Sequence, residues 1–573
     1  EELLHITAFT TDVDAIVFVG LPLAYKGKLY NVAAALNRGK ILGIVPKTYL
    51  PNYNEFYERR HFVSGMKQPV PVALDEDIIV PMGTQILFQC RQMPALKIAA
   101  EICEDVWAPN PPGVDHALAG ATVLVNLSAS DETTGKDIYR KSLVTGQSGR
   151  LICGYIYCSA GDGESTQDVV YSGHNLIAEN GSLLAESRRF CNESIYTELD
   201  IARLNEERRR MSTFPASNET YINIEFSLKE EQTELTRFVD PAPFVPGNKA
   251  DREKRCEEIF MIQAMGLKKR LEHTNAATAV VGISGGLDST LALLVMVKAF
   301  DLLNRDHKDI VAVTMPGFGT TDRTYDNAVS LIKSLGATFR EVSIVDSVRT
   351  HFRDIGQDEA VHDVTYENGQ ARERTQILMD IANKSGGMVI GTGDMSELAL
   401  GWATYNGDHM SMYGVNASVP KTLVRHLVRY YADTCGDETL QKVLYDVLDT
   451  PVSPELLPPE DGKISQKTED IVGPYELHDF FLYYILRFGC TPKKIYRLAK
   501  YAFDGTYDTE TIQKWLKTFY RRFFSQQFKR SCLPDGPKVG SVAVSPRGDL
   551  RMPSDASARI WMEELEALNT ERR

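Results

Sequence analysis

Short runs of apolar residues recur through the first part of the chain, and their lengths are typical of buried strands. They lie at residues 14–20, 39–46, 96–103, 121–128 and 151–158. Two segments between them, residues 113–120 and 136–150, carry patterns that favour helices. Strands that alternate with helices predict an α/β domain in which helices cover stacked sheets, in α-β-β-α order.

A different composition begins after residue 210. Residues 211–250 are rich in charged residues and proline, which predicts a linker or arm between two domains. From residue 251 a long helical pattern leads into four apolar runs that alternate with helices, which is typical of a doubly wound parallel sheet. These runs lie at residues 279–283, 309–315, 338–344 and 387–393.

The last part of the chain favours helices throughout. Its final predicted helix carries Trp561, Leu565 and Leu568 on one face. Together, the patterns predict one domain at residues 1–210, a linker at 211–250 and a second domain at 251–573.

Composition narrows the possible functions. The chain has 573 residues, and 63 Lys and Arg against 77 Asp and Glu give a net charge of −14. This charge argues against a non-specific nucleic-acid binder, which needs basic surface to displace counterions. Apolar runs fall short of the ~18 residues of a membrane-spanning helix, and the nine cysteines lack paired CxxC spacing, which indicates reduced thiols. We therefore predict a cytoplasmic enzyme that binds neither nucleic acid nor membrane.

A glycine-rich segment, SGGLDST, connects the apolar run at 279–283 to a predicted helix. Paired glycines let backbone N–H groups approach an anion, and a helix N-terminus adds unpaired donors and partial positive charge. The segment is not a Walker A loop, because it lacks the lysine that the pattern GxxxxGK[ST] requires. One interpretation is an ordinary glycine-rich turn, but the segment resembles the pyrophosphate loop of the ATP pyrophosphatase superfamily. That resemblance implies ATP binding by Gly282, Ile283, Ser284, Gly285, Gly286, Leu287, Asp288 and Ser289, with Asp288 also a Mg²⁺ ligand.

The segments YENGQARERTQILMDIANKSGGMVIGTGDMSELALGWATYNGDHM and VNASVPKTLVRHL resemble the synthetase domain of NAD synthetases. That family amidates nicotinic acid adenine dinucleotide (deamido-NAD) through an adenylated carboxylate. The resemblance implies that Thr392 contacts ATP and that Glu397 binds Mg²⁺ or the dinucleotide. The implied deamido-NAD site comprises Asn368, Glu397, Trp402, Ala403, Thr404, Tyr405 and Lys538. Taken singly, each of these residues could be an ordinary core or surface residue.

An amidating enzyme needs a source of ammonia, and Cys103 is the candidate nucleophile for releasing it from glutamine. It directly follows an apolar run, at the kind of turn that exposes a reactive atom. A lone cysteine is more often a core residue. However, the segment VPKTYLPNYNEFYERRHF contains Lys47, Tyr53 and Glu55. With Cys103, it resembles the carbon–nitrogen hydrolase (nitrilase) superfamily.

This second resemblance implies that Cys103 attacks the glutamine amide, that Lys47 stabilises the oxyanion and that Glu55 is a supporting carboxylate. It also implies a glutamine site formed by Tyr53, Ser130 and Lys136. The superfamily's general-base glutamate lies on an early strand farther upstream of the lysine than this numbering reaches, and neither Glu1 nor Glu2 has strand context. We therefore expect a truncated nitrilase-like sandwich, with the general base outside this numbering.

The two resemblances together imply an NAD synthetase activity that uses glutamine, ATP with Mg²⁺, and deamido-NAD, in a homo-oligomer. The second domain would then have the ATP pyrophosphatase fold. Two alternatives remain open: another amidotransferase with a pyrophosphate loop, and a non-catalytic sensor of adenine nucleotides. Turnover of ATP to AMP and pyrophosphate that requires deamido-NAD separates these hypotheses.

Overall fold

The computed structural model divides the chain into two compact units, Glu1–Phe238 and Val239–Arg573. It describes residues 1–164, 168–215, 220–247, 249–451, 453, 456–457 and 468–568.

The first unit is built mainly from strands. Its strands are β1 (Val17–Tyr25), β2 (Lys28–Asn37), β3 (Lys40–Pro46), β4 (Val70–Asp75), β5 (Ile78–Met82), β6 (Ile86–Cys90), β7 (Lys97–Ile102), β8 (Val123–Ser128), β9 (Gly154–Ser159), β10 (Leu176–Glu179), β11 (Ser182–Glu186) and β12 (Ile222–Phe226). Its α-helices are α1 (Glu2–Phe9), α2 (Pro112–Leu118), α3 (Lys136–Leu151) and α4 (Ile201–Arg210).

These strands form two sheets that share an apolar core. One sheet has the order β1-β2-β3-β5-β4, and the other has the order β11-β10-β9-β8-β7-β6-β12. The alternation along β2 shows why they stack: Ala33 and Ala35 pack with residues of β6, β7 and β8, whereas Val32, Ala34 and Leu36 belong to the cluster on the opposite face. Residues of α2 and α3 cover the outer face of the seven-stranded sheet. The layered α/β prediction is confirmed.

The segment that we expected to be a linker, residues 211–250, also contributes to the first unit. Its strand β12 pairs in parallel with β6 along five residues, from Ile222 opposite Ile86 to Phe226 opposite Cys90. Phe226 is buried in the core between the two sheets. The charged, proline-containing composition of this segment hid the short strand.

The second unit contains a parallel sheet surrounded by helices. Its strands are β13 (Ala279–Gly282), β14 (Ile310–Thr314), β15 (Thr338–Glu341), β16 (Met388–Gly391) and β17 (Tyr413–Gly414). Its helices are α5 (Lys249–Thr274), α6 (Leu287–Leu303), α7 (Asp322–Ser334), α8 (Val345–Ile355), α9 (Val364–Ser385), α10 (Met395–Leu400), α11 (Lys421–Thr434), α12 (Glu438–Asp449), α13 (Thr468–Val472), α14 (Tyr475–Phe488), α15 (Pro492–Ala502), α16 (Thr509–Ser525), α17 (Gln527–Arg530) and α18 (Arg559–Ala567).

The sheet has the order β15-β14-β13-β16-β17, and every neighbouring pair is parallel. The order reverses at β13, so the chain segments after β13 and β16 meet at the carboxyl edge, where doubly wound folds bind ligands. Helices α5, α6, α11 and α12 pack on one face, and α8 and α9 on the other. The predicted doubly wound sheet is confirmed.

The C-terminal helices form a separate apolar cluster rich in aromatic residues. In α18 the predicted face is present, because Leu565 and Leu568 are buried and Trp561 is partly buried against this cluster. In the described parts of the chain, every helix is too short or too polar to cross a membrane.

Candidate active sites

Cys103 lies at a sharp turn directly after β7. Its φ of 45° is in the left-handed region, which non-glycine residues rarely adopt. Asn126 of the neighbouring strand β8 holds this turn, because its Oδ1 accepts a hydrogen bond from Cys103 N at 3.2 Å. Ser128 donates to the same oxygen at 2.8 Å. The turn therefore places the thiol at the carboxyl ends of β7 and β8.

Lys47 follows β3, and its side chain is buried. Its Nζ donates to Glu58 Oε2, and Asn31 donates to the other oxygen of this carboxylate at 2.7 Å. Glu55, the expected supporting carboxylate, is exposed instead. A single turn of 3-10 helix at residues 58–60 brings Glu58 to Lys47. The carboxylate that supports Lys47 in this structure is thus Glu58.

Opposing effects act on the Cys103 thiol. Burial raises its pKa, whereas Lys47 lowers it. The neighbouring Ala129 backbone and Ser128 hydroxyl lower the pKa further and Glu58 raises it, and because burial outweighs the lowering effects the pKa lies above its ordinary value. Lys47 therefore lies close enough to favour the thiolate, which is the nucleophilic form.

Ser130 is buried beside the same group. It lies close enough to Tyr157 to lower the pKa of that phenol, but burial outweighs this effect and, with a contribution from Cys103, raises the pKa to about 12. The structure thus brings Ser130, Lys47 and Cys103 into one neighbourhood, as the sequence predicts.

Two further predicted glutamine ligands have partners in the first unit. The Tyr53 hydroxyl donates to Glu104 Oε1 at 2.8 Å, one residue from Cys103. The Nζ of Lys136 donates to Asp131 Oδ1 at 2.6 Å and lies 5.6 Å from the centre of the Trp107 ring. These residues offer a cation and a phenol to the polar groups of an amino-acid substrate, and their roles stay predictions.

In the second unit, the glycine-rich loop connects β13 to α6. Gly285 has a φ of 85°, and a Cβ there would lie 2.1 Å from Thr324 O, so a side chain is excluded. Ser284 Oγ accepts a hydrogen bond from Gly286 N at 3.2 Å and lies 3.3 Å from Ser289 Oγ. The loop thus gathers two hydroxyls at the N-terminus of α6, an arrangement that suits phosphate oxygens.

A cleft of about 260 Å³ opens at this loop. Its walls come from the carboxyl ends of β13 and β16, which are adjacent in the sheet. The predicted ligand residues that line it are Gly282, Ile283, Ser284, Gly286, Leu287, Asp288, Ser289, Thr392, Glu397 and Trp402. A second, smaller cleft shares Thr392 and Glu397 with the first and is also lined by Ala403. The parallel sheet has therefore brought the two predicted ligand sets together.

A cluster of acidic residues lies on the cleft wall. Carboxylate oxygens of Asp288, Asp394 and Glu397 lie within 4.8 Å of one another. Lys421 Nζ pairs with all three, at 2.5, 2.7 and 3.0 Å respectively. Burial raises the pKa of Asp394 and of Glu397, and Lys421 opposes that rise. Burial also lowers the pKa of Lys421, but the three carboxylates outweigh it, so that pKa is well above its usual range.

The acidic cluster fits a divalent cation. Asp288 Oδ1 is buried and, within the part of the chain that the structure describes, makes no hydrogen bond. Mg²⁺ prefers hard oxygen ligands, and it is usually held by one or two carboxylates plus substrate phosphates. Asp288 and Glu397 would supply these carboxylates beside the phosphate loop.

Of the predicted dinucleotide residues, Trp402 to Tyr405 lie in a loop after α10, and Asn368 lies on α9. Thr404 Oγ1 donates to Asn368 Oδ1 of α9 at 2.7 Å, which joins two of them directly. The Tyr405 ring stacks on His409 with centroids 5.2 Å apart. The Trp402 ring lies 5.3 Å from the Arg522 guanidinium. A planar base could stack on such aromatic surfaces.

Lys538 is one of five predicted ligands of the second unit that do not line either cleft; the others are Gly285, Asn368, Thr404 and Tyr405. The Lys538 ammonium pairs with Asp549, and its side chain is about half exposed.

Two family models match the chain, one on each unit. Residues 1–209 match the carbon–nitrogen hydrolase family, and residues 260–522 match the NAD synthase family. The fold and the two sites therefore define a two-part protein, in which a carbon–nitrogen hydrolase unit precedes an NAD synthase unit.

Proteins similar to this chain along its full length are glutamine-dependent NAD(+) synthetases. The one from Mycobacterium leprae is 43% identical, over 99% of this chain and 88% of its own. The one from Aquifex aeolicus is 28% identical, over 96% and 87%. A crystal structure of the synthetase from Cytophaga hutchinsonii aligns with 98% of this chain and 88% of its own, at 22% identity and a TM-score of 0.46. The chain belongs to the family of glutamine-dependent NAD(+) synthetases.

Polar residues in the sites that were not predicted from the sequence include Glu58, Asp394 and Lys421. Glu58 shares the segment YNEFYERR with Glu55, and only the turn decides which carboxylate meets Lys47. Asp394 could have been found, because it precedes Glu397 by three residues in a pattern typical of helix starts. In the structure its Oδ1 accepts a hydrogen bond from Glu397 N at 2.8 Å. Lys421 begins α11 and carries no local pattern that marks it as a cleft residue.

Proposed function

We propose that this protein makes NAD⁺ by amidating deamido-NAD with ammonia released from glutamine. The observation that carries the proposal is the presence, in one chain, of a cysteine–lysine site at a strand end and a phosphate-loop cleft. The family to which the chain belongs supports the same pairing.

The first unit would hydrolyse glutamine. The Cys103 thiolate attacks the side-chain amide carbonyl, a carbon–sulfur bond forms, and negative charge develops on the carbonyl oxygen. Lys47, held by Glu58, supplies positive charge to that oxygen. Collapse of this intermediate breaks the carbon–nitrogen bond, and the leaving nitrogen takes up the proton that the thiol gave up, so ammonia is released. Water then cleaves the thioester, which gives glutamate and restores the thiol.

Tyr53, Ser130 and Lys136 would bind the glutamine. Lys136 already pairs with an acidic side chain, and a second carboxylate, that of the substrate, suits its ammonium. Ser130 lies beside the thiol's neighbours and would contact the substrate near the reacting amide.

The second unit would activate the acid. The deamido-NAD carboxylate attacks the α-phosphorus of ATP, the bond to the β-phosphate breaks, and pyrophosphate leaves. Ser284, Ser289 and the N–H groups at the start of α6 would hold the phosphates. Ammonia then attacks the acyl adenylate, and NAD⁺ and AMP are released. Asp288 and Glu397 would hold Mg²⁺, which would supply positive charge to neutralise the phosphate oxygens.

Deamido-NAD would occupy the clefts next to Glu397. Asn368 and Thr404 offer polar groups, and Trp402 and Tyr405 offer aromatic faces on the same loop. Ala403 lines the smaller cleft. To bind the dinucleotide, Lys538 would have to break its ion pair with Asp549.

The organisation and location of the protein are part of the proposal. We assign the glutaminase to residues 1–210, with the strand of 211–250 completing its sheet, and the synthetase to residues 251–573. All nine cysteines are free, which supports a reducing compartment such as the cytoplasm. Light scattering in solution tests for the homo-oligomer.

The test is Cys103→Ala in the full-length protein. We expect NAD⁺ formation from glutamine to be lost, because the proposed nucleophile is gone, whereas the rate from ammonium chloride stays near that of the wild type. Cys158→Ala, at an exposed cysteine of the same unit, should leave both rates unchanged.

Equal loss of both rates in Cys103→Ala would contradict two separate sites. AMP and pyrophosphate should form only when deamido-NAD is present. ATP turnover with a different acid would instead favour another amidotransferase, and binding without turnover would favour the sensor.

A further inference from the structure

One buried carboxylate connects the lysine loop to the cysteine turn. Asp105 Oδ1 accepts hydrogen bonds from Tyr49 N at 2.7 Å and from Thr48 N at 3.1 Å. Its Oδ2 accepts from Ile102 N at 2.9 Å. Thr48 and Tyr49 follow Lys47 directly, and Ile102 directly precedes Cys103, so a single side chain spans both catalytic segments.

The two catalytic groups come from different sheets. Lys47 follows β3 in the five-stranded sheet, and Cys103 follows β7 in the seven-stranded sheet. Apolar packing between sheets is non-directional, so it does not by itself fix two side chains to within a fraction of an ångström. Hydrogen bonds from three backbone N–H groups to one carboxylate are directional, and they favour its charged form, although burial and Glu101 raise the pKa of Asp105 to about 7.

Burial makes this connection rigid. Asp105 is 1% exposed, so water does not compete for its oxygens. The backbone that it holds on the cysteine side is also strained, since Cys103 has a positive φ. A strained turn persists only when its surroundings hold it in place. Here Asp105 accepts a hydrogen bond from Ile102 N, and Asn126 accepts one from Cys103 N.

We propose that Asp105 is a positioning residue of the glutaminase site, which sets the placement of the Lys47 ammonium relative to the Cys103 thiol. It acts through the backbone of both segments and does not contact the substrate. This inference rests on the proposed function.

The first test is Asp105→Asn in the full-length protein. The amide has nearly the same size, but one of its two ends is a donor and cannot accept from the N–H groups on that side. A displacement near 1 Å in an active site costs on the order of 10²-fold in rate. We expect kcat/KM for glutamine to fall about that much, and the ammonia-dependent rate to stay near wild type.

A second readout separates positioning from general loss of stability. Iodoacetamide alkylation of Cys103, followed by peptide mass mapping across pH, measures the pKa of its thiol. Because Lys47 lowers that pKa, a displaced Lys47 should shift the alkylation midpoint upward in Asp105→Asn. Lys47→Met gives the upper limit of this shift. Asp105→Glu is the alternative variant if Asp105→Asn does not fold. It keeps the carboxylate but moves it, and it should also shift the alkylation midpoint upward.

The matched control is Glu179→Gln. Glu179 is also a buried carboxylate of the first unit, and it accepts from Asp200 N at 2.5 Å and pairs with Arg237 at 3.2 Å. Its loss should lower the melting temperature without changing the Cys103 alkylation profile.

The outcomes are distinct. An upward shift of the Cys103 alkylation midpoint in an Asp105 variant, together with loss of its glutamine-dependent rate, supports the proposal. A wild-type profile and a wild-type glutamine rate per folded molecule in both Asp105 variants would overturn it. If the wild-type protein releases no ammonia from glutamine and Lys47→Met leaves the profile unchanged, the proposed glutaminase function itself fails.

Discussion

At the level of single residues, the proposed glutaminase site combines a cysteine in a strained conformation with a buried cation. A positive φ at a non-glycine residue costs of order 1–3 kcal/mol, and such strain is concentrated at functional sites. Cys103 has this strain, and the Asn126 side chain and the Asp105 carboxylate hold its turn.

Resemblance to the carbon–nitrogen hydrolase superfamily indicates Cys103 and Lys47 as candidates, and because each follows an apolar run, the sequence also predicts that both lie at strand ends. It does not identify Glu58 as the partner of Lys47. That pairing depends on one short turn of 3-10 helix, whose register within a polar segment is set by tertiary contacts. Side-chain partners across the chain are therefore less predictable than the strand ends that carry them.

Lys47→Met distinguishes a catalytic lysine from a structural one. Methionine keeps the apolar stem but removes the charge from the oxyanion, and one such donor is typically worth ~10²–10³ in rate. We expect the glutamine rate per folded molecule to fall by that factor. The melting temperature should fall as well, since Glu58 would remain buried without its cation.

Arg237→Met is the control for this change. It removes another cation that pairs with a buried carboxylate of the first unit, Glu179. We expect Arg237→Met to lower the melting temperature about as much as Lys47→Met does, but to leave the glutamine-dependent rate intact. The same result in Lys47→Met would remove Lys47 from the catalytic set.

At the level of elements, three basic side chains hold the end of α10. Arg530 Nη1 donates to Ala399 O at 2.6 Å, and Arg522 Nε donates to Leu400 O at 3.0 Å. Lys529 donates to two carbonyls beyond the helix, those of residues 401 and 403, at 2.8 and 2.7 Å. These cations satisfy carbonyls that a six-residue helix leaves unpaired, and they complement its C-terminal partial charge.

Lys529→Met tests what this support does for the dinucleotide loop. The loop from Trp402 to Tyr405 would lose both hydrogen bonds that follow α10, and its aromatic faces would be less well ordered before binding. We expect KM for deamido-NAD to rise about 10-fold, which corresponds to ~1.4 kcal/mol, with little change in kcat. Steady-state kinetics with ammonia as the nitrogen source measures both.

Lys514→Met serves as the control, because Lys514 is an exposed residue of α16. It should leave KM unchanged. A fall in kcat without a change in KM for Lys529→Met would contradict a role in ordering this loop.

The elements themselves differ in how well the sequence predicts them. Strands β7, β8, β13 and β16 are short β-branched or apolar runs bounded by turns, and each lies where the pattern predicts it. Strand β2 contains three consecutive alanines, which favour helices, and its strand conformation comes from pairing with β1 and β3. Tertiary pairing of this kind leaves no local pattern to detect.

At the level of the whole molecule, each unit contains a histidine buried without charge. Burial lowers the pKa of His116 and of His478 to about 4. His478 Nε2 donates to Val472 O at 2.6 Å, and the ring stacks on Phe519. Its Nδ1 is buried with no hydrogen-bond partner among the residues described, so a proton there would be unpaired in an aromatic core.

These pKa values predict acid sensitivity. The unfolded chain binds a proton at each histidine near pH 6.5, whereas the folded chain does so only near pH 4. Between these values the unfolded state holds more protons, so stability rises with pH and is lost as pH falls from 6.5 toward 4. Each histidine contributes roughly 3 kcal/mol at most.

His478→Asn should therefore flatten the dependence of the melting temperature on pH between 6.5 and 4. His5→Asn, at an exposed histidine of α1, should leave the slope as in the wild type. An unchanged slope in His478→Asn would show that folding does not lower the pKa of this histidine.

Strand β12 has a consequence for anyone who divides the chain. This strand follows α4 in the chain and pairs with β6. The backbone N–H and C=O groups on that side of β6 are therefore hydrogen-bonded within the first unit. A fragment cut at residue 210, where the hydrolase-like sequence ends, would leave this edge open to other molecules. Such fragments should self-associate through β6, whereas fragments that run to residue 238 keep the edge closed.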